Sequence, residues 1–405
     1  MHSGVVETIK QELPKRLEVS HRTRRRLTRA AAALTGILLT PALAACQDTQ
    51  SQETTTAEIC GLHDGLYTQL PDANADRSPS DFMNDLVCSI DDTPAGESIK
   101  ISTYKLHNPV IADALLRAHQ RGVDVQIVMD DNKADNRIVR TLQQQLGSDT
   151  SEGSFINLCD ASCLNPGKGV QHAKVIAFSH NHQTVVGSTN LSGDNLYETS
   201  GIDYATSDSA VYDTSVAFVD SLNHPASSTT TPSTVSGPLS ISFSPYSDPR
   251  DEPIGELLDQ VKCQPVDGQG ENTQIDIAMY DITWGRRKTI NRLAALASSG
   301  CDLRMIINGK DDQFQAERAN IAKFLAGKGA SMIYPPKDGL MVHDKLVLVA
   351  GNIDGRYQQV TTLGSQNLTG NALKTNTEAT LQSHKPEDYQ QALNHFNQLY
   401  EEVDE

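Results

Sequence analysis

The sequence predicts an α/β protein of two similar domains, each a mixed, largely parallel sheet with flanking helices. Three observations carry this reading. The chain has 405 residues, too many for one small core and suited to two ordinary domains. A strand–helix–strand unit occurs twice, and a Ser/Thr/Pro-rich stretch separates the copies. A composition of 38% hydrophobic, 5% aromatic and 21% charged residues excludes collagen, wholesale disorder and a multi-spanning membrane protein.

The first copy reads "ESIKISTYKLHNPVIADALLRAHQRGVDVQIVMDDN" and the second "TQIDIAMYDITWGRRKTINRLAALASSGCDLRMIINGKDD". Each opens on an alternating strand, with Ile99, Ile101 and Thr103 in one and Ile275, Ile277 and Met279 in the other. A helix follows with apolar spacing of three and four, Ile111-Ala114-Leu115-Ala118 and Ile290-Leu293-Ala294-Ala297. Both helices stop at a glycine, Gly122 and Gly300, where a left-handed cap is expected. Second strands follow at Val123–Met129 and Leu303–Ile307, which makes each unit a βαβ crossover. Further helices are expected around Ile138 and Leu142 and around Ile321, Phe324 and Leu325, then strands at Phe155–Leu158 and Met332–Tyr334. Upstream, Phe82, Leu86 and Ile90 mirror Ile254, Leu257, Leu258 and Val261, with Cys88 and Cys263 at matching positions. The expected domains are 60–221 and 245–405, joined by a linker at 222–244 that contains "NHPASSTTTPSTVSGP".

Residues 1–45 read as an export signal. Arg22, Arg24, Arg25, Arg26 and Arg29 precede an apolar run from Ala30 to Leu39, too short for a stable span. The cluster "TRRRLTR" fits a twin-arginine route and a general secretory route alike. Leu43-Ala44-Ala45-Cys46 resembles a bacterial lipobox, in which Cys46 is lipidated; the alternative is a soluble protein cut after Ala42-Leu43-Ala44. Residues 46–59 are polar and suit a tether. The cysteine count favours lipidation. Seven cysteines leave one unpaired, but acylation of Cys46 leaves six: Cys60, Cys88, Cys159, Cys163, Cys263 and Cys301. Near-neighbour pairing gives Cys60–Cys88, Cys159–Cys163 and Cys263–Cys301. A metal at Cys159 and Cys163 is the weaker option, since no second ligand pair is near in sequence.

The formal charge is −17; residues 1–45 carry 8 basic and 3 acidic residues, so the chain from Cys46 onward stands at −22. Such a surface repels phosphate backbones, and nucleic acid is not favoured as partner. Chemistry concentrates in two motifs. His172 and Lys174 lie in "QHAKVIAF", His343 and Lys345 in "VHDKLVLV". Residues two apart on a strand share a face, so each His and Lys can address one ligand. A short loop later come Gly187-Ser188-Thr189-Asn190 and Gly364-Ser365-Gln366-Asn367. The glycines allow close approach of backbone to a ligand, and Ser and Asn offer uncharged hydrogen-bond groups. A lone His-x-Lys says little; its recurrence at equivalent repeat positions, with the same sequel, points to function.

With these motifs the chain resembles the phospholipase D superfamily, which carries two His-Lys-Asp motifs, each followed by a Gly-Ser or Gly-Gly and Asn element, on duplicated α/β domains. The resemblance runs from about Cys60 to the C-terminus. It implies two domains related by a pseudo-twofold axis, with both motifs meeting at one active site. Where the family has Asp after four further residues, this chain has Ser179 and Ala350. The family's Asn-x-Glu element is present as Asn376 and Glu378, and Asp203 is the candidate first-half counterpart. The resemblance further implies that His172 is a nucleophile attacking phosphorus and His343 the acid that protonates the departing alcohol. Lys174, Lys345, Asn190 and Asn367 suit the non-bridging oxygens. Gly187, Ser188, Gly364, Ser365, Glu378 and Trp284 complete the expected substrate contacts. Arg286, Arg287 and Lys288 form a local basic cluster, and His180 and His182 a weak metal pair; no metal or other cofactor is expected.

The expected function is phospholipase D-type hydrolysis of a glycerophospholipid headgroup ester, by a monomer acting at a membrane surface after export. The alternatives are a nuclease of the same superfamily, a phosphatidyltransferase, and a non-catalytic phosphate- or lipid-binding protein, the last motivated by Ser179 and Ala350.

Overall fold

The computed structural model describes residues 60–71, 80–165, 167–223, 231–246, 252–268, 270–309, 315–335 and 339–404. The expected signal (1–45), Cys46 and the tether (46–59) lie outside the described residues. The first half runs β1 (Gly65–Gln69), α1 (Asp81–Asp92), β2 (Ser98–Thr103), α2 (Pro109–Gln120), β3 (Asp124–Asp130), α3 (Arg137–Leu146) and β4 (Phe155–Cys159). It continues through β5 (Val175–Phe178), β6 (Gln183–Gly187), α4 (Gly193–Tyr197), β7 (Gly201–Thr206) and α5 (Ser209–Asn223). The second half runs β8 (Ser233–Ser236), β9 (Leu239–Ser244), α6 (Pro253–Gln260), β10 (Val261–Lys262), β11 (Gln274–Met279), α7 (Arg287–Ser298), β12 (Asp302–Ile307) and α8 (Gln315–Ala326). It ends with β13 (Ser331–Ile333), β14 (Lys345–Ile353), β15 (Arg356–Gly364), α9 (Gly370–Lys374), β16 (Glu378–Ser383) and α10 (Pro386–Asp404).

The strands form two mixed sheets, ordered β1-β7-β6-β5-β2-β3-β4 and β13-β12-β11-β14-β15-β16-β9-β8, with β10 added beside β14. Parallel pairing is confined to β2-β3-β4 and β11-β12-β13; every other pair is antiparallel. The parallel share is therefore smaller than the crossover units alone lead one to expect. Short reversals such as Ile353 to Arg356 join the later strands, and a tight reversal forces antiparallel pairing.

Each crossover helix stops at the glycine its sequence supplies, and α2 is also capped at its start. The Asn108 side chain caps the N–H groups of Val110 and Ile111, Pro109 sits in the first turn, and Gly122 beyond the last turn has φ +91°. Gly300 after α7 has φ +93°. Strand alternation sorts the cores. Ile99 and Ile101 pack under α1, α2 and α3, while Ile275, Ile277 and Met279 pack under α6 and α7. The opposite sheet faces meet in a shared central layer, where Tyr204, Phe218 and Phe243 join Ala278, Leu346, Leu381 and Phe396. Helices α5 and α10 supply much of that layer.

Two expectations need correction. The Ser/Thr/Pro segment is not a plain linker: α5 runs to Asn223, and β8 and β9 form a hairpin whose second strand pairs with β16. Leu239, Ile241 and Phe243 alternate with serines and are buried, a half-buried strand concealed by a polar composition. Cys88 and Cys263 are not equivalent, since Cys88 lies within α1 and Cys263 follows β10. The disulfides are Cys60–Cys88, Cys159–Cys163 and Cys263–Cys301. No helix among the described residues is long and apolar enough to cross a membrane.

Candidate active site

The two motifs stand at the same edge of their sheets, just before β5 and at the start of β14. The halves are stitched together there. Thr377 N–H donates to the Val170 carbonyl (3.1 Å) and His172 N–H to that of Thr377 (3.0 Å), while Ser200 N–H donates to the Met341 carbonyl (3.0 Å). These crossings bring His172 and His343 to the wall of one cavity of about 900 Å3, which Asn190 and Asn367 also line.

Beside each imidazole stands a tyrosine that sequence reasoning passed over. Tyr104 meets His172 edge-on at 5.2 Å between ring centroids, and Tyr280 meets His343 at 5.1 Å. Lys174 and Lys345 lie 5.7 and 5.0 Å from the centres of the same two rings, within cation–π range. Each tyrosine follows the opening strand of its repeat, in "ISTY" and "IAMY". That recurrence was the available signal. Neither lysine lines the cavity. Each is buried behind its histidine and donates to that histidine's own carbonyl oxygen at 2.6 Å.

The second-half serine and glutamate form one unit. Glu378 Oε2 accepts from Ser365 Oγ (2.6 Å) and meets His172 Nδ1 at 2.7 Å, and Asn376 donates to Oε1 (3.0 Å). A carboxylate on Nδ1 favours the proton on that nitrogen and leaves Nε2 available to a ligand. Repeat geometry identifies the first-half counterpart. Ser188 N–H bonds the Ile202 carbonyl and Ser365 N–H that of Ala379, both at 2.9 Å. The residue before each of these is Gly201 in one half and Glu378 in the other. Asp203 is therefore equivalent to Thr380, not to Glu378. It faces Thr189, accepting from its Oγ1 (2.5 Å) and its N–H (3.2 Å). Accordingly His343 Nδ1 is buried with no side-chain partner.

Electrostatics follow from burial. Desolvation lowers His172 to about 4, with Lys174 and Lys345 adding repulsion against the pull of Glu378. It likewise lowers Lys174 to about 7 and pushes His343 and Lys345 well below their usual ranges. Burial alone raises Glu378, yet His172, Lys174 and the Ser365 hydrogen bond hold it below the usual carboxylate value. Burial raises Asp203 to about 6. Four nitrogen bases that charge only at a cost, two on the cavity wall and two buried behind it, suit a site completed by an anion.

The other expected contacts sort differently. Gly187 and Gly364 serve packing, since a Cβ would collide with the Asp203 carboxylate in one case and the Ala379 carbonyl in the other. Ser188 and Ser365 accept from the N–H groups of Ile202 (2.9 Å) and Ala379 (3.0 Å), so they lock strands and do not face the cavity. Asn367 accepts from the Asp281 N–H (3.0 Å), and Asn190 donates to Asn195. Trp284 packs edge-on against Phe324 at 5.6 Å, away from the cavity. Arg286 is buried against Glu252, which divides the expected basic cluster. His182 stacks on Tyr212, whereas His180 meets Phe178 edge-on, so the two rings have separate partners. The mouth carries Lys105, paired with Asp194 at 2.9 Å, and Lys133 on one side; Asp281, paired with Arg318 at 2.9 Å, and Glu317 line the other.

The missing motif aspartates leave this cluster untouched. Ser179 lies past the far end of β5, where it accepts from Ser98 N–H (2.7 Å) and donates to Glu97 (2.6 Å). Ala350 lies mid-strand opposite Gln274. Neither position adjoins the imidazoles.

Comparison with known proteins agrees with the geometry. The sequence matches the family described as "Cardiolipin synthase, PLD-like domain" twice, at 90–222 and 270–400. No curated protein matches the chain. Among solved structures, the phosphatidylserine synthase of Haemophilus influenzae Rd KW20 superposes with a TM-score of 0.57 at 14% identity, over 83% of this chain and 86% of that one. The polyphosphate kinase of Porphyromonas gingivalis gives 0.54 at 13% identity over 83% of this chain; the match spans half of the kinase's length. Both share the fold. Two family matches over two structural repeats, joined at one two-histidine cavity, make this chain a member of the PLD-like domain family of the phospholipase D superfamily.

Proposed function

We propose that the protein is a phospholipase D-type phosphodiesterase that releases the headgroup alcohol of a glycerophospholipid. The observation that carries the reading is the single cavity holding His172, braced by Glu378, together with His343. Neutral His172 attacks phosphorus through Nε2; the N–P bond forms and the bond from phosphorus to the headgroup oxygen breaks. His343, charged once the phosphate is bound, gives its proton to that oxygen. It then takes a proton from water, whose oxygen displaces Nε2 and yields phosphatidic acid. Lys174, Lys345, Asn190 and Asn367 stabilise charge on the non-bridging oxygens as it grows; each lysine must first leave its histidine carbonyl.

Lipid is favoured over nucleic acid by the −22 charge from Cys46 onward, a field that repels a polyanion. Export and lipidation at Cys46 would hold the site at a bilayer surface. An alcohol in place of water gives transfer, a second reading favoured by the family description. The test is purified protein with phospholipid vesicles, with or without added glycerol, and separately with plasmid DNA, chelator present throughout. Free headgroup alcohol supports hydrolysis, and a new phosphatidyl ester formed with glycerol supports transfer. Cleavage of DNA alone overturns the lipid reading.

A further inference from the structure

A second, smaller cavity of about 260 Å3 opens where β12 ends, lined by Asn308, Gly309, Arg318, Tyr334 and Pro335 among others. Asn308 is 1% exposed, and neither its amide oxygen nor its amide nitrogen has a hydrogen-bond partner. A buried amide left in that state is a net cost to folding unless a ligand completes it. Its first-half counterpart, Asp130, shows the satisfied form: its carboxylate accepts from the N–H groups of Asn132 (3.0 Å) and Gln171 (2.8 Å). The cavity adjoins the active site through one of its own lining residues. Arg318 bonds Asp281 (2.9 Å) and lies 5.9 Å from the Tyr280 ring centre, and both of those residues line the catalytic cavity. Tyr280 is the ring against His343.

We propose that this cavity is a headgroup subsite for hydroxyl-bearing alcohols such as glycerol or inositol. The assignment rests on the reading of His343 as the acid toward the leaving alcohol, which places the headgroup on this side. A hydroxyl both donates and accepts, so it completes the two halves of the Asn308 amide; a trimethylammonium group can do neither. Gly309 lets the end of β12 close against the segment that forms the opposite wall, since a Cβ there would stand 2.6 Å from the Pro335 carbonyl oxygen.

The test is calorimetric binding of two soluble diesters, glycerophosphoglycerol and glycerophosphocholine, to the whole protein and to Asn308→Leu and Asn308→Asp. The glycerol diester binds the unmodified protein about tenfold more tightly, and both variants bring the ratio towards one. Asn308→Leu also raises Tm by about 3 °C, because an unsatisfied amide gives way to an apolar group of like size. Equal affinities in the unmodified protein, an unchanged ratio in both variants, binding of neither diester, or a clear loss of Tm in Asn308→Leu overturns the subsite. Selective binding without turnover of vesicles leaves the subsite standing and defeats the lipid-hydrolase reading instead.

Discussion

The two halves share a backbone plan down to single hydrogen bonds, yet their histidines live differently. Around His172 the second half contributes Glu378, held by Ser365 and Asn376. Around His343 the first half contributes Gly201, and Nδ1 is left without a side-chain partner. Duplication produces symmetry; a displacement at phosphorus needs one nucleophile and one acid. A carboxylate on Nδ1 stabilises the imidazolium and enriches Nε2, which suits attack. An imidazole without it gives up a proton more readily, which suits donation to a leaving group. The broken symmetry thus supports the proposed roles, His172 as nucleophile and His343 as acid.

The sharpest way to break this comparison is to remove each histidine in turn. His172→Ala should lose at least about 10^4-fold in turnover of any diester, since no covalent step remains. His343→Ala should fail as badly on lipid but behave differently on a p-nitrophenyl diester, whose leaving group needs no proton. There we expect a burst of about one nitrophenol per chain, then a stall, because no base activates water. A burst in His172→Ala and none in His343→Ala would invert the assignment.

Next in size is the brace. Glu378→Gln keeps the shape and removes the charge, and should lower kcat about 10^2- to 10^3-fold, with Ser365→Ala costing about tenfold through the same carboxylate. Equal small losses in both variants would mean that Glu378 serves folding alone.

A third measurement concerns pH. Burial depresses two of the bases at the site, Lys174 to about 7 and His172 to about 4. A bound anion favours every protonated form, so binding of vanadate should take up protons. Lys174 carries its charge below about pH 7 and loses it above, so affinity should fall by up to about tenfold per pH unit on rising through that value. Titration calorimetry in buffers of different ionisation enthalpy reads both effects; affinity constant between about pH 5 and pH 9 would contradict the account.

How much of this was written in the chain can be judged at particular residues. The crossover units were legible because Ile99, Ile101, Ile275 and Ile277 alternate and because Gly122 and Gly300 end their helices. The histidines were legible because they recur. Composition hid β9, whose serines face away from a buried Leu239, Ile241 and Phe243. The role of Ser365 was hidden because a serine beside a glycine looks the same whether it meets a substrate or a carboxylate thirteen residues on. The placement of Asp203 failed for a related reason. An acidic residue near the right distance attracts notice, whereas a glycine standing where an acid belongs is visible only once backbone hydrogen bonds fix the register.

That glycine offers the gentlest test of the comparison. A Cβ at Gly201 would meet Thr189 Oγ1 at 2.8 Å and Ser188 Oγ at 3.5 Å, so Thr189 must turn and give up its bond to Asp203 before a side chain fits there. Gly201→Glu should let a carboxylate reach His343 Nδ1 and accept from Ser188, as Glu378 does from Ser365. A carboxylate favours the imidazolium, so the His343 pKa should rise. Turnover at neutral pH should change by less than about tenfold, since a more basic acid is charged more often but donates less readily. The pH profile decides the matter. If His343 is the acid, the alkaline limb of kcat moves upward with its pKa; if it is the nucleophile, the acidic limb moves instead. An unshifted His343 in a folded variant would show that Gly201 does not occupy the place of the missing carboxylate.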